Sequence, residues 1–144
     1  MDRSKRIAII LNSALLVWFF LDMIGVSLGG DLLVTRSYKE DGIYFIIFAL
    51  ALLSFLLKDR IGKYLLLIWL LIWFVTQFYS HWYVTIFGPW EGKRRFFAHT
   101  IKLIPSDNIY IPDLYHIVLH ILILLSLGGV IAFLFQKRKR SSRK

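Results

Sequence analysis

The chain has 144 residues, enough for one domain at most. Apolar residues make up 58% of it and aromatics 17%, against 19% charged. A soluble core of this size could not bury so much apolar surface, so a soluble globule is excluded and the lipid bilayer is the expected solvent. With no cysteine, disulfides, thiolate metal centres and cysteine nucleophiles are excluded too. The net charge of +9 would point to nucleic acid in a soluble protein. Here it sits in short clusters beside apolar runs, where it reads as a topology signal, and no nucleic-acid partner is expected.

Four apolar runs follow one another, at about 7–28, 42–57, 61–80 and 114–135. A helix needs roughly 20 residues to cross about 30 Å of hydrocarbon. Three runs reach that length, and the shorter second one is extended by Lys58 and Arg60 snorkelling at its end. Arg3, Lys5 and Arg6 precede the first run as they would in a secretory leader. The run is too long for a leader's apolar region and no small-residue cleavage site follows, so it is read as a retained span. The predicted fold is therefore an all-α membrane protein, a four-transmembrane-helix bundle forming a single domain over 1–144, with a basic cytoplasmic tail at 137–144.

Basic residues set the orientation. Arg3, Lys5, Arg6, Lys58, Arg60, Lys63 and the tail KRKRSSRK fall on one side, and Arg36, Lys39, Lys93, Arg94, Arg95 and Lys102 on the other. The first set is twice as large and belongs in the cytoplasm, which makes this a multi-pass cell-membrane protein with both termini inside. The tail itself reads as a stop-transfer anchor beside anionic lipid.

The connections differ in what they carry. KDRIGK at 58–63 is a tight cytoplasmic hairpin that makes the second and third helices antiparallel neighbours. The first outer loop opens with Gly-Gly-Asp and reads as a surface turn. The second, about 81–112, is a structured outer loop of approximately 30 residues between helices 3 and 4, long enough to carry function. Its aromatics and the Lys93-Arg94-Arg95 run suit a segment lying along headgroups. Either a small β-hairpin over 96–111 or an amphipathic helix fits the same residues.

Ionisable side chains at membrane depth are costly, so each one there needs a reason. At about 1.5 Å of rise per residue, Asp22, Gln77 and His120 all lie roughly a turn inside the outer boundary, with His81 and His116 nearer to it. Three helices thus carry polar groups into one layer. Asp113, His116 and His120 share one face of helix 4, and Gln77 and His81 share one face of helix 3. If those faces meet, His81, His116 and His120 make a candidate site for a divalent transition metal such as zinc, since imidazole and carboxylate ligands suit it. Asp22, His116 and His120 are the candidate catalytic residues of an acid–base site, with His120 as the partner of Asp22 by depth. Asp113, after Pro112, is the expected N-terminal cap of helix 4. His99 is expected to be exposed.

Three functions compete on these residues. The first is a metal-dependent or acid–base enzyme acting on a lipid or lipid-linked group, with Lys93, Arg94, Arg95 and Lys102 holding a phosphate headgroup. The second is a non-enzymatic ion- or metal-handling component, which four spans would need to support as an oligomer. The third is an accessory or immunity-type membrane protein whose aromatic outer loop meets a membrane-protein partner.

Overall fold

The computed structural model describes residues 2–141. Four helices are long and apolar enough to cross a membrane: Arg3–Ile24, Tyr38–Leu57, the continuous column Asp59–Phe87, and Leu114–Arg138. The end of the bundle that carries the first residues and the far end of the last helix is called the terminal end below. The opposite end, where the two long connections lie, is the loop end.

Helix α1 (Arg3–Ile24) stops before residue 28 because Gly25 turns to φ 71°, with its N–H still bonded to the Leu21 carbonyl at 2.9 Å. Any side chain here would meet Cβ of Arg36 at 2.9 Å. The chain then forms a hairpin of β1 (Val26–Leu28) and β2 (Asp31–Val34), turned by Gly29 and Gly30 at positive φ. The first loop is therefore a β-hairpin and not a plain surface turn.

Strand β2 also ties down the long connection. The Leu32 N–H donates to the His99 carbonyl at 3.0 Å, and the Ile101 N–H donates to Leu32 at 2.9 Å. Residues 100 and 101 thus find their partner in the first loop, and no hairpin forms within 96–111. Just before them lies the short helix α5 (Glu91–Phe96), with an Arg95–Glu91 ion pair at 2.5 Å.

Helix α2 (Tyr38–Leu57) begins four residues ahead of the apolar run at 42, because Glu40 and Asp41 suit the positive end of a helix and fill its first turn. After Lys58 alone the chain reverses into α3 (Asp59–Phe78). Gly62 lies so close to α2 that a Cβ would fall 2.2 Å from the Ser54 carbonyl oxygen. The column then passes through a π-helical turn at Tyr79–Tyr83 into α4 (Val84–Phe87). A π turn widens the helix by one residue and re-aims the side chains on it, here His81. The last helix is α6 (Leu114–Ser141), and the rest of the basic tail at 137–144 lies outside the described residues.

The core runs between α1, α3 and α6 and under α2. Leu15, Phe48, Phe55, Leu66, Leu70, Ile123 and Val130 are fully buried in it. Rings link the layers: Phe19 and Phe48 lie 4.6 and 5.3 Å from Trp73, and Phe55 meets Phe133 edge-on at 5.4 Å. Trp18 stacks on Tyr115 at 5.6 Å and donates from Nε1 to its carbonyl at 3.2 Å, which sets α1 against α6. At the terminal end, Lys5 and Lys137 both bond to Asp59. The outward faces stay apolar, with Leu57 73%, Val17 66% and Val75 62% exposed. Hydrocarbon would solvate such faces; water would not.

Candidate functional site

The site starts where α6 begins. Asp113 is 1% exposed, and its Oδ1 accepts the His116 backbone N–H at 3.0 Å and the His116 Nδ1–H at 2.6 Å. One carboxylate oxygen therefore caps the helix and orients the imidazole above it. Burial pushes this carboxyl up, but the hydrogen bonds and charge of His116 outweigh it and hold Asp113 below the ordinary carboxylate value. With Nδ1 given to Asp113, Nε2 is the free nitrogen of His116.

His81 arrives from the π turn and lies over His116, with ring centroids 4.1 Å apart and planes at 31°. Its Nδ1 is 2.5 Å from the Tyr110 hydroxyl. Burial, then the nearby charge of Asp113, raises the Tyr110 phenol far above its ordinary range, so it keeps its proton and donates it to His81. His120 lies edge-on to His81 at 5.7 Å. Its Nδ1 donates to the His116 carbonyl, and its buried Nε2 has no partner.

The opposite wall comes from α1 and α2. Asp22 is 6% exposed and its side chain is in hydrogen-bonding range of Ser37 and Asp41. The Ser37 N–H also donates to the Asp22 carbonyl at 2.8 Å, which folds the start of α2 against the end of α1. The expected Asp22–His120 pair is thus replaced by an Asp22–Asp41 pair. Rise along a helix sets level and leaves rotation about the axis open.

Between the walls lies a cavity of about 480 Å³, within the ordinary range of small-molecule sites. Asp22, Glu40, Asp41, Asp113, His81 and His116 line it, with Gln77, Arg36 and Lys93. Its rim includes exposed Tyr44 on α2 and Thr76 on α3, on the flanks of two membrane-length helices. The four expected headgroup cations do not act together. Lys93 lines this cavity, whereas Arg94, Arg95 and Lys102 line a separate recess of about 530 Å³ with Asp107 and Tyr110. Phe97 stands between them, with the Lys93 and Lys102 ammonium groups each 5.7 Å from its ring. Burial lowers both lysines from their ordinary values. His99 is exposed.

The structure brings His81, His116 and His120 together, as the helix faces required. All three Nδ1 atoms are committed, to Tyr110, Asp113 and the His116 carbonyl. Among the described residues no group of three or more His, Asp or Glu side chains is placed to hold a metal ion. The zinc-type centre expected from residue spacing gains no support from this arrangement.

Sequence reasoning missed Asp41, Glu40, Arg36 and Tyr110. Starting the second span at residue 42 left Asp41 in a loop, although acids in a helix's first turn are a readable signal. Nothing local marks Tyr110, since its role depends on where the long connection packs. Compared with known families, curated proteins and solved structures, the chain matches none of them.

Proposed function

We propose that this is a multi-pass cell-membrane protein, both termini cytoplasmic, whose cavity is an acid–base site acting on a lipid or lipid-linked group at the outer leaflet. The observation that carries this is the Asp113–His116 pair. A buried carboxylate holds one imidazole by Nδ1 at 2.6 Å and leaves Nε2 beside a cavity with exposed membrane-helix flanks on its rim. The excess of Lys and Arg at the terminal end supports the orientation.

The chemistry follows from the tautomer. With its proton on Nδ1, His116 takes a proton at Nε2 from water or a hydroxyl as the oxygen attacks an ester or phosphoester. The same imidazolium returns that proton to the departing alkoxide, so the ring ends as it began. Asp113 stabilises the imidazolium and keeps the ring in register. Lys93, half-buried at the wall, offers a cation to the anionic oxygens. His81, fixed by Tyr110, packs on His116 and limits its rotation.

The test is lipid turnover. Purified protein in vesicles of mixed phospholipid is incubated, and released headgroups and new lipid species are followed by mass spectrometry. His116→Ala should abolish the conversion, and Asp113→Asn should reduce it while the protein still folds. Equal turnover by wild type and His116→Ala would sink the acid–base reading. It would favour an accessory role, in which Phe87 and Phe96, each 68% exposed, meet a partner.

A further inference from the structure

The balance of hydrogen-bonding groups in the cavity constrains what can enter it. Four carboxyl groups line it, Asp22, Glu40, Asp41 and Asp113, against two cationic side chains, Arg36 and Lys93. Two of the acids, Asp22 and Asp41, lie within hydrogen-bonding range of each other. Carboxylates so close repel unless a proton or a cation lies between them.

An independent observation points the same way. Asp113 is 1% exposed, yet its Oδ2 accepts no hydrogen bond. The Thr100 hydroxyl is within hydrogen-bonding range of the carboxyl but donates its proton to the Phe97 carbonyl at 2.9 Å. The Gln77 side-chain oxygen lines the same cavity and is likewise buried without a donor. Buried acceptors are costly unless something donates to them. The cavity therefore carries more carboxyl groups than cations, and two of its buried oxygens accept no hydrogen bond.

We propose that the cavity takes the primary ammonium group of a zwitterionic phospholipid headgroup, with the adjoining phosphate on Lys93 and Arg36. An ammonium brings three N–H donors and a positive charge, which answers both the carboxyl excess and the unpartnered oxygens. A phosphate alone brings neither. A trimethylated ammonium brings charge but no N–H, so it leaves those oxygens as they are. This rests on the reading of the cavity as a lipid site, but not on catalysis by His116.

The test is binding to the full chain in detergent, read by native mass spectrometry and by the rise in unfolding temperature. The probes are phosphatidylethanolamine, phosphatidylcholine, phosphatidylglycerol and acyl-free phosphoethanolamine. Phosphatidylethanolamine should bind at least about tenfold more tightly than the choline or glycerol lipids, the ratio expected from one charge-assisted hydrogen bond. Because these probes act on wild-type protein, no variant has to fold. Asp41→Asn, at a half-buried position, should then cut the preference. Equal or tighter binding of phosphatidylglycerol or phosphatidylcholine would overturn the proposal. Acyl-free phosphoethanolamine matching the lipid would overturn the lipid source, leaving a soluble amine as ligand. The two readings separate cleanly: ethanolamine-lipid binding with turnover intact in His116→Ala defeats the acid–base reading alone. Preference for phosphatidylglycerol with turnover lost in His116→Ala defeats the ammonium reading alone.

Discussion

Replacing Gly62 by alanine puts a methyl group where α2 already stands. Its Cβ would lie 2.2 Å from the Ser54 carbonyl oxygen and 2.3 Å from the Phe55 nitrogen, and both are backbone atoms that no rotamer change can move aside. Ordinary van der Waals contact begins near 3.4 Å, so the two helices must part by roughly 1 Å at this crossing. Phe55 is fully buried and meets Phe133 at 5.4 Å, so the shift reaches α6 as well. Overpacking of a well-filled core costs about 1–3 kcal/mol, and a clash with backbone on both sides belongs at the upper end. For a chain of this size that is a fall in unfolding temperature on the order of 10 °C. The assay is thermal unfolding in detergent across a series of glycine-to-alanine variants. Gly129→Ala, whose Cβ would meet the Leu11 side-chain end at 3.1 Å and the Ala8 Cα at 3.3 Å, should lose less. Gly128→Ala, with nothing within 4 Å, should lose nothing. If Gly62→Ala unfolds with Gly128→Ala and wild type, the close approach of α2 and α3 is refuted.

Further outcomes follow from other contacts. Asp113→Asn weakens the cap and the imidazole bond together, and should cost about 1–2 kcal/mol of stability. The Asp113 carboxyl is held below its ordinary value of 3.8 in the folded protein, so its stabilisation is complete above that pH and is lost as pH falls through the lower folded value. Wild type should therefore lose unfolding temperature more steeply than Asp113→Asn as pH falls from about 5 toward 2, and parallel curves would contradict this. Tyr110→Phe removes the donor to His81 Nδ1 at 2.5 Å, so nitrogen NMR of the ring should show the proton redistributed between Nδ1 and Nε2. An unchanged His81 signal would mean that the phenol does not set its tautomer. The chain has no cysteine, so single cysteines label cleanly. In intact cells an impermeant maleimide should reach His99→Cys and not Arg60→Cys, and the reverse pattern would invert the orientation.

Much of the architecture is legible without coordinates, because run length and hydropathy are local properties. The four long helices follow from apolar runs about as long as a helix needs to cross hydrocarbon. Their ends are less legible. Residue 28 as the end of the first run overlooked Gly25, and residue 42 as the start of the second overlooked the acids that open α2. The layer of polar groups was visible as well, since helical rise places Asp22, His81, His116 and His120 within a few turns of each other. Which of them touch was not visible, because rise gives height and leaves rotation about each axis open.

By itself the sequence determines that this chain has four membrane-length apolar helices and one polar layer toward the end bearing the two long connections. Composition and periodicity act along the chain, so they can be read there. Only the tertiary structure decides that Asp22 faces Asp41 and not His120, that His81 lies over His116, and that Lys93 is parted from Arg94, Arg95 and Lys102 by Phe97. Those outcomes depend on helix rotation, on the π turn at His81 and on a long connection pinned to β2. Each is set by packing between segments far apart in the chain, where no local signal reaches.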